Sequence, residues 1–167
     1  ALNHRSYLAI GNLQSQSLEF AGQTIPPDQL YILAGFNHQP IADGVLIDEA
    51  SPEAIAALAI DDRQQIIAAV GTALYHIGSD GLYHRIQSVC ADLPTLPDQI
   101  HTLGDHVYLA EIHGELYACS DTPAQLDNVQ IGAQWSKLNH SFFASCKQDD
   151  AYVLASSSEL CIGHLNQ

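Results

Sequence analysis

The stretch Gln65-Ile66-Ile67-Ala68-Ala69-Val70-Gly71-Thr72-Ala73-Leu74-Tyr75-His76-Ile77 decides the fold. Two short apolar runs, rich in β-branched, Leu and aromatic residues, are separated by Gly71-Thr72, which reads as a hairpin between buried strands. Ahead of it stands Asp61-Asp62-Arg63-Gln64. Asp bonds its own backbone a residue or two on, so this tetrad marks a chain reversal.

Working outward, the pattern returns. Apolar runs of the same kind lie at Ser6 to Ile10, Leu30 to Ala34, His106 to Ala110 and Ala151 to Ala155. The last three follow the polar turns Pro26-Pro27-Asp28-Gln29, Gly104-Asp105 and Lys147-Gln148-Asp149-Asp150. The second strand of the hairpin also has echoes, His113-Gly114 leading to Glu115 to Cys119 and Ser157-Ser158 leading to Glu159 to Ile162. Leu74, Leu116 and Leu160 then recur at spacings of about 42 to 44 residues, the length of a four-stranded propeller blade.

A blade needs two further strands. Leu18 to Ala21, Ala54 to Ile60, Gln99 to Leu103 and Ser141 to Cys146 are read as inner strands. Val45 to Ile47, Leu82 to Ile86 and Asn128 to Ile131 are read as outer ones. The N-terminal run near Tyr7 to Ile10 is expected to complete the last blade and remove an open sheet edge. One segment pulls two ways. Ser51-Pro52-Glu53 is a helix start and Ala54 to Ala59 has helical propensity, whereas the repeat register makes the same residues a strand.

These residues resemble the β-propeller proteins of the WD40, kelch and hemopexin-like kind, in architecture alone. The resemblance implies a single all-β domain over residues 1–167, a small, about four-bladed propeller-like fold closed by the N-terminal strand. The alternative is a β-sandwich or irregular β-barrel with one short helix near 52–60.

Of the 167 residues 47% are apolar, enough for a sizeable core, yet only five are Lys or Arg against 19 Asp or Glu, a formal charge of −14. Such a surface repels nucleic-acid phosphate and anionic lipid and attracts a basic protein. No run approaches the roughly 18 apolar residues of a membrane span, and the first residues lack the pattern of a secretory signal. A cytoplasmic protein is expected, or a periplasmic one if a signal peptide has been removed. Cys90, Cys119, Cys146 and Cys161 form no CxxC pair, and free, buried thiols are expected.

Nine histidines invite a search for metal chemistry. His101, Asp105, His106 and His113 gather around one expected turn, and His76 and His84 flank Ser79-Asp80-Gly81, but neither group has zinc-motif spacing. There is no Gly-x-Ser-x-Gly elbow, and the paired acids sit in turns. The chain is therefore read as non-catalytic, with no metal and no cofactor. It is expected to bind a basic protein partner, and it resembles in general profile the small acidic proteins of bacterial toxin–immunity pairs, which occlude a toxin or enzyme. The expected partner face carries Asp28, Asp61, Asp62, Asp105, Asp149 and Asp150, with Tyr31, Tyr108 and Trp135 as aromatic anchors. The rival expectation is a hydrolase-type enzyme with a His/acid site, metal-bound or metal-free, at the centre of the fold.

Overall fold

The computed structural model describes residues 6–35, 37–63, 65–86, 90–104, 106–126, 129–138, 144–148, 151–155 and 160–164, the last three as backbone. They form an all-β protein of small antiparallel sheets. No helix among them is long and apolar enough to cross a membrane.

The chain opens with β1 (Leu8–Asn12), then the hairpin β2 (Leu18–Phe20) and β3 (Gln23–Ile25), and returns as β4 (Gln29–Ala34). β1 pairs with β4, Asn12 opposite Gln29. Buried Asn12 holds the enclosed hairpin: its Nδ2 donates to the carbonyls of Gln16 and Ile25, each at 2.8 Å, and its own carbonyl accepts from the Asp28 amide at 2.8 Å. Among the described residues the N-terminal strand does not close the last sheet, because β1 pairs with β4, a nearer partner in sequence. Leu18 to Ala21 is likewise not an inner strand of a larger sheet, since Leu18–Phe20 is spent on the tight pairing with β3.

The decisive stretch forms β6 (Ile66–Val70) and β7 (Ala73–Ile77), flanked by β5 (Ile55–Ile60) and β8 (Tyr83–Arg85) in the order β5-β6-β7-β8. The helix-start signals around Ser51 are used for a single 3-10 turn, Pro52–Ala54, with the Ser51 hydroxyl accepting from the Glu53 amide. The chain then becomes extended at Ile55, because pairing with β6, Leu58 opposite Ala68, outweighs the alanines' helical preference. Val45 to Ile47 is not an outer strand of a first blade. It lies along β8, where Tyr83 N donates to Val45 O at 2.9 Å and Ile47 N to Gly81 O at 2.8 Å.

A second four-stranded sheet follows: β9 (Gln99–Leu103), β10 (Val107–Ile112) and β11 (Glu115–Ser120), in the order β9-β10-β11 and then a short fourth strand. β12 (Ala124–Leu126) and β13 (Val129–Ile131) form a separate hairpin, so the expected outer strand there is instead β14 (Ser136–Lys137), which pairs with β11. β15 (Ala144–Gln148), β16 (Ala151–Ala155) and β17 (Leu160–His164) make a three-stranded meander. The matched leucines keep their register: Leu74 faces Ala69, Leu116 faces Glu111 and Leu160 faces Ala155.

The sheets stack face to face, which explains the unbroken apolar runs. Ile66 and Ala68 enter a first core with Phe20, Ile25, Tyr75 and Tyr83, whereas Ile67 and Ala69 enter a second with Tyr108, Ala110 and Cys119. Val107 and Leu109 turn to a third core with Leu116, Leu126 and Ile131. Strands buried on both faces lose the polar alternation of a half-exposed sheet. Cys90 and Cys119 are joined by a disulfide inside the second core, correcting the expectation of free thiols there. The stacking brings a loop after β8 against β11, a proximity invisible in a spacing of 29 residues.

Candidate functional site

β5 sets the site. Its pairing with β6 uses one edge, and the other faces β9, where the Thr102 hydroxyl donates to the Ile60 carbonyl at 3.0 Å. The alternation of β5 turns Leu58 and Ile60 outward, 45% and 68% exposed. Two clefts share these side chains. The smaller, about 460 Å³, lies between β5 and β9 and includes Asp98 and His101. The larger, about 940 Å³, lies between β5 and the β1–β2 region, with an apolar floor of Leu8, Ile10, Leu18 and Phe20 and a polar rim that includes Glu19 and Arg63. Both fall within the size range of ligand-binding clefts.

The apolar character continues onto β4. Gly11 lines the larger cleft, and a Cβ built there would stand 3.8 Å from Leu30 Cδ1. Leu30, Tyr31 and Ile32 are all exposed, Leu30 at 73%, and among the described strands β4 pairs only with β1. In the sequence, Leu30 to Ala34 reads as a buried strand and Ala54 to Ile60 as an inner strand or a helix. That reading misses this exposure because an apolar side chain reads the same whether or not a neighbouring sheet covers it.

The anticipated partner residues are dispersed. Asp28 is exposed at the entry to β4, with its backbone at a positive φ of 57°, a conformation Asp tolerates. Asp61 is buried and works inside its own turn, its Oδ1 accepting from the amides of Arg63 at 3.0 Å and Gln65 at 2.8 Å. Asp62, beside it, is exposed. Tyr31 is solvent-facing, Tyr108 is buried in the second core, and Trp135 packs against that core with its indole N–H donating to Ala91 O at 2.7 Å. Asp105, Asp149 and Asp150 lie outside the described residues.

The histidines of the β9–β11 region are not brought together. His106 donates to Asp121 at 2.7 Å, the His113 amide donates to Asp98 at the opposite end of the hairpin, and half-buried His101 has its pKa lowered by burial. His76 and His84 are different: they stand directly opposite each other on β7 and β8, with ring centroids 5.0 Å apart. Among the described residues no group of three or more His, Cys, Asp or Glu side chains converges on one ion. No family model, curated protein or solved structure matches the chain.

Proposed function

We propose that this protein is a non-catalytic, acidic protein-binding module, a propeller-like array of stacked blades that receives a basic partner on the apolar side chains exposed by β4 and β5. One observation carries the reading: Leu30, Ile32, Leu58 and Ile60 are exposed on a chain of net charge −14. Exposed apolar side chains grouped at a cleft mark interaction surfaces, and the surrounding acidity steers a cationic partner towards them. The edge of β4 suits an extended segment that alternates basic and apolar residues, adding as a further strand. Occlusion of a basic toxin or enzyme, as immunity proteins achieve, fits this mode. The Cys90–Cys119 disulfide favours an oxidising setting such as the periplasm over the cytoplasm.

The test is binding of an extended peptide of alternating Lys and Val, followed by fluorescence anisotropy at low and high salt. Leu30→Asp with Ile32→Asp should abolish binding, and Asp28→Lys with Asp62→Lys should slow association several-fold at low salt. Unchanged binding by the Leu30/Ile32 variant overturns the reading.

A further inference from the structure

Away from the exposed apolar side chains of β4 and β5, the turn between β7 and β8 gathers side chains that no part of the binding role uses. His76 and His84 are cross-strand partners in the register Tyr75 to Arg85, His76 to His84, Ile77 to Tyr83. Backbone pairing therefore fixes both Cα positions. Asp80, in the connecting turn, accepts from the Leu82 amide through Oδ1 at 3.1 Å, which anchors its carboxylate. Its Oδ2 accepts from His84 Nε2–H at 2.8 Å.

We propose that His76 and His84 form a two-imidazole site for a divalent transition-metal ion of the zinc class, with Asp80 orienting His84 and the remaining coordination positions open. The ring separation carries the proposal. Two imidazoles that share one tetrahedral ion, each with a metal–nitrogen distance of about 2.0–2.1 Å, place their ring centroids about 5 Å apart. The observed separation is 5.0 Å with the planes tilted by 35°.

The second element is the carboxylate. A metal-binding histidine characteristically donates its other ring N–H to a carboxylate, which fixes the tautomer and raises the basicity of the ligand nitrogen. With Nε2–H held by Asp80, the lone pair of His84 lies on Nδ1, the atom left for the ion. His76, directly opposite on β7, is partly buried and its ring lies beside that of His84. The field around the pair is negative: Asp80, Asp61 and Asp43 all act on His76, and Asp43 accepts from the Arg85 amide at 2.8 Å beside His84. A bound dication would relieve that accumulation of charge.

Among the described residues only these two ligands are supplied, so the ion keeps positions for water or for a donor from another molecule. Closed structural zinc sites have four protein ligands; this arrangement is an exchangeable site.

The experiment is a calorimetric zinc titration of the full, untagged chain at pH 7.5, repeated with His76→Gln, His84→Gln and Asp80→Asn. His106→Gln, a histidine outside the pair, is the control. One zinc per chain is expected, weakened at least tenfold by either His76→Gln or His84→Gln, several-fold by Asp80→Asn, and unchanged by His106→Gln. A His76→Gln, His84→Gln double variant that titrates like the parent overturns the proposal. Should a variant unfold, the parent chain decides alone: sub-stoichiometric Cu²⁺ should broaden the imidazole proton signals of His76 and His84 first, and broadening centred on other histidines overturns the proposal.

Discussion

Gly81 and Ala21 approach so closely that a Cβ on Gly81 would lie 2.8 Å from the Ala21 Cβ. The contact locks the turn of the first hairpin onto the turn that enters β8. Both residues occupy the left-handed region, Ala21 at φ 51° and Gly81 at φ 74°. Gly81→Ala combines an unfavourable φ with a clash against backbone-anchored atoms, and a loss of about 2–3 kcal/mol is expected. Gly71 and Gly114 also have positive φ but nothing within 4 Å of a built Cβ. Alanine there should cost only about 1 kcal/mol, the conformational part alone. Urea denaturation of the three variants separates the terms; equal losses would show that the Ala21 approach contributes nothing.

The Cys90–Cys119 bridge makes a second prediction. It closes 29 residues of chain between two buried positions, with Cα atoms 6.0 Å apart. Loop-closure entropy for that length corresponds to about 3–4 kcal/mol. Thermal unfolding in excess reductant should therefore show a clearly lowered midpoint, and Cys90→Ala with Cys119→Ala should be lowered without responding to reductant at this site. A parent midpoint indifferent to reductant would mean that the bridge does not stabilise the fold.

What the sequence made legible follows from which information is local. The runs Ile66 to Val70 and Val107 to Ala110 announce strands buried on both faces, and Gly71-Thr72 and His113-Gly114 announce tight hairpins, because side chains and φ preferences act within a few residues. Pairing partners are not local. Val45 to Ile47 could add to any exposed edge, and only the position of β8 decides. The same holds for β1, expected at the last meander and found on β4. Of the anticipated binding residues, Asp61 and Asp62 are indistinguishable in sequence, yet one is buried and the other exposed. Leu58 and Ile60 carried no signal at all, since exposure depends on what the neighbouring sheets leave uncovered.

Tyr83 offers a pH-dependent test. Its ring is fully buried, set edge-on to Tyr75 with centroids 6.1 Å apart, and its hydroxyl makes no hydrogen bond among the described residues. Burial pushes its pKa up to about 12. Because the folded pKa is raised, the neutral phenol's contribution is intact below the unfolded value near 10 and is lost as pH rises from about 10 to 12. Tyr83→Phe removes a desolvated, unpaired hydroxyl, so at pH 7 its stability should stay within about 1 kcal/mol of the parent. Between pH 10 and 12 the variant should lose less stability than the parent. Parallel denaturation curves across that range would refute the assignment.

The final prediction separates a structural acid from a surface one. Asp61 caps its own turn by accepting two backbone amides, and its backbone N–H donates to Gln65 O at 3.0 Å, closing the reversal between β5 and β6. Asp61→Ala leaves those amides without their side-chain acceptor in a partly buried turn, at an expected cost of about 1–2 kcal/mol. Asp61→Asn keeps an acceptor oxygen in place and should recover most of it, although the formal charge is lost. Asp62→Lys changes an exposed side chain and should shift stability by less than about 0.5 kcal/mol. It should nonetheless slow association with the Lys/Val peptide. If Asp61→Asn were as unstable as Asp61→Ala, the carboxylate's charge rather than its hydrogen-bond geometry would be what the turn requires.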